Sequence, residues 1–156
     1  MGIDEDEFVE IGCNGAVDVS NYNIFLYGKN GAFVGDKTKV LQGQCTPDTF
    51  VSQDYMPNDL VNTGRGIALV DASGNLLDFI SYGGTVNASD GPVAGSVSIN
   101  VGVYRSTRKD QSVQLVNKVD AATTCEKTDF EWKLTTRSKG KPNTGQTINC
   151  SANDQP

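Results

Sequence analysis

Carboxylates are the first residues in this chain that could do chemistry. The segment IDEDEFVE gathers Asp4, Glu5, Asp6, Glu7 and Glu10 near the beginning of the sequence. Hard oxygen ligands of this kind suit Ca²⁺, with Asp4 and Asp6 as the candidate ligands. The run lacks the calcium-loop spacing with its glycine at the sixth position, so a solvated, self-repelling end is the favoured reading. A second pair, Asp71 and Asp78, flanks the tip DASGN. Glycosidic chemistry needs two carboxylates facing a cleft at about 5 to 9 Å. In a hairpin such residues more often accept from the backbone N–H groups of the turn. Histidine is absent, which removes the commonest general base and every Ser-His or Cys-His nucleophile. With no base, nucleophile or phosphate cradle to name, the sequence predicts neither catalysis nor a cofactor.

Basic residues offer a different chemistry. Lys133, Arg137, Lys139 and Lys141 follow Trp132 closely, a strip of phosphate-contacting cations beside an aromatic platform. Arg105, Arg108 and Lys109 form a second, smaller cluster. A formal net charge of −6 opposes general attraction to nucleic acid or anionic lipid. A solvated strand face, with Trp132 in the core, is therefore favoured over nucleic-acid contact. Trp132 with surface tyrosines also outlines a carbohydrate-binding module as a third reading.

The cysteines are more decisive. Cys13, Cys45, Cys125 and Cys150 are far apart and form no C-x-x-C pair, so a zinc site would need all four thiolates without the usual spacing. Two disulfides fit better and imply an oxidising compartment; the alternative is four buried free thiols in a cytosolic protein. Four cysteines allow three connectivities. Cys125 and Cys150 bracket the last strand region and are paired on that ground, which leaves Cys13 with Cys45. Each bond would contribute about 3 to 4 kcal/mol in the chain-entropy account. The sequons NAS at Asn87 and NCS at Asn149 agree with export. The expected location is extracellular or cell-surface, with any leader absent, because Met1 runs directly into acidic GIDEDE. No apolar run approaches the roughly 18 to 20 residues of a spanning helix.

These side chains need a scaffold, and the pattern is all-β. The chain has 156 residues, 37% of them hydrophobic and 21% charged, enough for one domain with a core. No long window repeats apolar residues at helical spacing; short β-rich runs alternate with turn clusters. EFVEIG, NIFLYG, KTKVLQG, SVSINVGVYR, SVQLVN and FEWKL read as strands, and KNGAF carries the Asn-Gly hairpin signal. The stretch from Gln44 to Arg65 reads as a long irregular loop of the binding kind, or equally as holding one more strand around DTFVSQ. GIALVDASGNLLDFISYGG is a hairpin whose arms are apolar on both faces. Ala68 and Val70 oppose Ile67 and Leu69, while Leu77 and Phe79 oppose Leu76, Ile80 and Tyr82. Such arms belong mid-sheet, one face on the core and the other under a loop. Seven or eight strands predict a β-sandwich, with a closed barrel as competitor. Residues 1–6 form an acidic N-terminal segment, 7–150 the sandwich and 151–156 a flexible tail.

Four segments in order resemble the lamin tail domain family. EFVEIGCNGAVDVSNYNIFLYG is similar to its opening acidic-aromatic strand and turn, with Tyr22 where the family has tryptophan. GIALVDASGNLLDFISYGG resembles its L-x-D-x-x-G hairpin, QSVQLV its S-L-[QE]-[LR] strand, and FEWKLTTRSKGKPNTGQ its closing W…P-G-x-x-N segment, Lys141-Pro142-Asn143 being a degraded copy. The resemblance implies an immunoglobulin-like sandwich serving as a non-catalytic module in secreted microbial proteins, where such domains accompany nucleases, phosphatases or surface proteins. A protein or cell-surface partner is therefore expected, with a nucleic-acid-binding accessory role as the alternative. One departure stands out. The family's I-N-E-[IV] strand upstream of EFVEI is reduced here to MGIDEDE, so an open sheet edge that accepts another chain is expected.

Overall fold

The computed structural model describes residues 6–102, 110–120 and 124–150. Asp4, the cluster of Arg105, Arg108 and Lys109, and the 151–156 tail lie outside them. In chain order the strands are β1 (Glu7–Ile11), β2 (Val17–Asp18), β3 (Asn23–Gly28), β4 (Lys39–Val40), β5 (Gln44–Cys45), β6 (Val51–Tyr55), β7 (Arg65–Val70), β8 (Leu76–Tyr82), β9 (Ile99–Asn100), β10 (Gln111–Asn117) and β11 (Phe130–Thr136). Among the described residues two single-turn 3₁₀ segments interrupt them, Gly35–Lys37 and Lys127–Asp129. The protein is an all-β sandwich. Several two-residue strands raise the number above the seven or eight read from the sequence, since pairs this short leave no alternation to detect.

One layer is a five-stranded sheet in the order β4-β3-β7-β8-β9, antiparallel except for the β8–β9 pair. Its two faces are apolar for separate reasons. On one, Tyr27, Ala68, Val70 and Phe79 pack beneath Val86, Ala88 and Val93 of the segment that follows β8. Tyr27 stacks at 5.5 Å from both Phe33 and Phe79, tilted in each case, an arrangement that adds about 0.5 to 1.5 kcal/mol per pair beyond area burial. Polar ties fix the covering segment. Val93 N–H donates to Tyr27 Oη at 3.1 Å, Ser98 Oγ donates to Ser81 Oγ at 2.7 Å, and Ser89 N–H donates to the Gly31 carbonyl at 2.9 Å. The hairpin arms are indeed covered by a loop on this side.

The opposite face carries Ile24, Leu26, Ile67 and Leu69, with Val9, Ile11, Val17, Val51 and Tyr55 packed on it. Those last residues come from the two-stranded pairs β1–β6 and β2–β5. A third ribbon, β10–β11, pairs from Gln111 with Thr136 to Asn117 with Phe130. Cys13 is bonded to Cys45 and Cys125 to Cys150. Asn14 lies between the two bonds: its Nδ2 is 3.9 Å from Cys125 Sγ and its carbonyl 3.3 Å from Cys150 Sγ.

One reading needs correction, and one pair of alternatives is decided. A register shift between Leu69 and Val70 pairs Val70 with Leu76 and Leu69 with Asp78, so Leu77 is the extra residue of a β-bulge. The bulge exchanges the expected facing: Leu76 shares the side of Val70, while Leu77 lines the inner side with Ile80. Of the two readings of 44–65, the strand around DTFVSQ is the one found, as β6, with the short β5 before it. Its remaining turn is pinned by Glu7, whose carboxylate accepts from Leu60 N–H at 2.7 Å and Asn58 N–H at 3.2 Å.

Candidate binding site

The carboxylates singled out for chemistry are engaged elsewhere. Asp71 accepts from Ser73 N–H, Asn75 N–H and Asn75 Nδ2, each at 2.8 Å. These hydrogen bonds hold its carboxyl below the usual range, and the residue serves as the turn's cap. Asp78 points to the other side of the bulge and pairs with Lys127. The two do not face a common cleft. Asp6 is exposed, 3.9 Å from Arg137, and among the described residues no three His, Cys, Asp or Glu side chains gather to hold a metal ion.

The basic strip is broken up by acids, one near in sequence and one distant. Lys133 sits 2.7 Å from Glu131 on its own strand, and Lys139 pairs with Asp54. Arg137 and Lys139 converge over the Phe8 ring, 5.5 and 5.4 Å from its centroid. Lys141 is exposed and apart from this pair. Asn87 and Asn149, the sequon asparagines, are both exposed. Among the described residues no helix is long and apolar enough to cross a membrane.

The feature that composition and motif did not reveal lies between the layers. A gap of about 750 Å³ separates the inner face of the main sheet from the β10–β11 ribbon and β1. Its floor is Ile67, Leu69, Ile80 and Tyr82; Leu115, Trp132 and Leu134 stand opposite. These residues are half-buried, whereas the covered face of the same sheet is closed. Trp132 thus lines an opening and is neither a packed core residue nor a surface platform. Volumes of 300 to 1,000 Å³ with mainly apolar walls are typical of ligand sites.

The strands do not border this gap in the same way. β11 contributes alternate residues, Phe130, Trp132 and Leu134, and therefore presents a face. From β1 every residue between Glu7 and Ile11 lines it, and from β10 every residue between Gln111 and Leu115. Successive side chains of a strand point to opposite faces, so an unbroken run means that the strand's edge is turned to the gap. β1 pairs only with β6 and β10 only with β11 among the described residues. The ribbons are joined at both ends instead. Gly140 N–H donates to the Glu10 carboxylate at one end, and Asn14 meets Cys125 and Cys150 at the other. These ties set β1 and β10 side by side in the same chain direction, and among the described residues no strand joins them. Burial at this edge raises the Glu10 carboxyl above its usual range, against the opposing pull of Gly140 N–H and Lys139. The half-alternating patterns of SVQLV and FEWKL were the only sequence signal for these walls; the separation between them had none.

No family model matches the chain, and neither curated proteins nor solved structures give a match.

Proposed function

We propose that this chain is a non-catalytic, extracellular binding module of the lamin tail type, and that the gap between its layers is the binding element. The observation that carries this reading is the half-buried apolar wall around about 750 Å³, in a scaffold whose opposite face is fully closed. A sandwich interior normally packs to crystal-like density. An opening this large exists at the cost of core packing, and ligand or partner binding recovers that cost. Two disulfides support an oxidising location. The order of motifs from EFVEI to KPNTGQ, the immunoglobulin-like expectation attached to it and the capped 66–84 hairpin support the family reading. Nucleic-acid contact is the weaker alternative, since Lys133 and Lys139 already meet carboxylates of this chain.

The test uses the single tryptophan. Trp132 lines the gap, so titration with the uncharged dye N-phenyl-1-naphthylamine should give saturable, one-to-one energy transfer from Trp132. The oxidised protein should keep its cooperative melt throughout. Absence of saturable transfer, or transfer only when cooperativity is lost, would refute the gap as a binding element.

A further inference from the structure

The chemistry of the gap's borders specifies what kind of molecule completes it. Two strand edges face it, the 8–11 part of β1 and the 112–114 part of β10. Each edge presents backbone N–H and C=O groups that no other strand among the described residues meets. Leu115 shows what those groups require: its carbonyl, at the end of the β10 run, is met by the Asn143 side-chain amide at 3.0 Å. An occupant that fills the space but carries no regular donors and acceptors leaves both edges unsatisfied, at about 1 to 3 kcal/mol for each buried group. Lipids and aromatic ligands are in that position. An extended polypeptide is not, since it offers donors and acceptors along both sides at the strand's own repeat.

Size and charge agree. A residue in a stacked sheet occupies about 3.4 Å along the strand, about 4.8 Å between strands and about 10 Å between layers, or about 160 Å³. The gap of about 750 Å³ therefore takes about five strand residues, and β1 is five residues long. Its apolar floor of Ile67, Leu69, Ile80 and Tyr82 requires apolar side chains at alternate positions of the occupant. The charged residues on its walls are mostly acidic: Lys127 and Arg137 meet Asp78 and Asp6, and Glu7, Glu10 and Glu126 leave the walls with an acidic excess. Like charges in a confined site repel, so the occupant's outward positions are basic.

We infer that the slot between β1 and β10 accepts an extended segment of a partner protein, about five residues long, with apolar residues alternating with lysine or arginine. The inserted strand joins the two ribbons into one continuous sheet, β6-β1-partner-β10-β11, opposite the five-stranded layer. This inference rests on the binding-module reading above and names the partner's chemistry.

The experiment uses an acetylated, amidated heptapeptide of alternating lysine and valine as probe, with the oxidised full chain. Trp132 emission reports occupancy, and amide hydrogen exchange by NMR reports the edges. Saturable binding should shift Trp132 emission to the blue and protect edge amides within both 8–11 and 112–114. Replacing the central valine by proline removes a backbone donor, and replacing the lysines by glutamate reverses the charge; each should weaken binding about tenfold. Equal binding of all three peptides would overturn the inference, as would binding without protection on both edges. Binding of dodecanol in place of the peptide would overturn the strand and leave the binding module standing. Protection of the same amides in the free protein, rising with its concentration, would show a second copy as the occupant and also overturn it. Failure of the dye and of every probe would remove both readings together.

Discussion

Gly31 and Gly74 provide a matched pair that tests how the covering segment is held. Both have φ of +87°, so alanine at either position incurs the same left-handed penalty of about 1 to 2 kcal/mol. Both also gain the same small entropic benefit in the unfolded chain. They differ in surroundings. A Cβ at Gly74 meets nothing within 4 Å, whereas at Gly31 it would lie 2.0 Å from the Asn87 carbonyl oxygen and 3.3 Å from Ser89 N. Those are backbone atoms, so the covering segment has to move. Displacement removes the Ser89 N–H bond to the Gly31 carbonyl, about 1 kcal/mol. It also lifts Val86, Ala88 and Val93 from the sheet, and exposing even one valine costs about 1.5 to 3 kcal/mol. Gly31→Ala should therefore destabilise by about 4 to 6 kcal/mol and Gly74→Ala by only about 1 to 2. For a chain of this size the melting temperatures should fall by about 10 to 20 °C and about 5 °C respectively. Urea and thermal unfolding under oxidising conditions measure both. A difference between the two variants of less than about 1 kcal/mol would refute the argument that this close approach anchors the segment.

Other outcomes follow from the polar contacts. Tyr27→Phe leaves the buried Val93 N–H without its acceptor and should cost about 1 to 3 kcal/mol, read as a lower urea midpoint with unchanged m-value. Asp59 is 8% exposed; burial pushes its carboxyl up, but Lys37 at 2.9 Å, Met56 N–H and Lys39 together hold it below the usual range. Its folded-state value thus lies beneath the unfolded value of about 3.9, so its contribution is present above about pH 4 and is lost as pH falls through the folded value. Asp59→Asn should lower stability at pH 7 by about 1 to 3 kcal/mol and flatten the loss that sets in below about pH 4 in a series of melts. Reducing the Cys125–Cys150 bond, whose cysteines are 25 residues apart, should cost about 3.5 kcal/mol on the chain-entropy estimate; a Cys125→Ser, Cys150→Ser double variant in urea checks it.

What was readable in the sequence had a local cause. The 66–84 hairpin declared itself because its arms are apolar on both faces and its tip carries Asp71 and Gly74, one a cap and the other at positive φ. Its facing was readable up to the bulge and inverted beyond it, because one extra residue exchanges Leu76 and Leu77 without altering the composition. β6 was legible only as an alternative to a loop, because VSQDY alternates weakly and its assignment depends on pairing with β1, distant in the chain. The cover of Val86, Ala88 and Val93 has no period at all; it is a loop shaped by the sheet it lies on. The cysteine pairs that the strand positions favoured are the ones joined. The candidate site was the least legible part. Lys139 reads as a free cation until the fold places Asp54 beside it, and a gap between two strands is a property of neither strand.

Asn14 has one more consequence. It brings both disulfides to the same end of the sandwich, while the far end is latched by Arg137, Lys139 and Gly140 reaching to Asp6, Asp54 and Glu10. Covalent bonds ignore ionic strength and charge pairs do not. Added salt should therefore loosen the charged end before the sulfur end, so that amides near 137–140 exchange faster at high ionic strength while those near Cys13 and Cys125 do not.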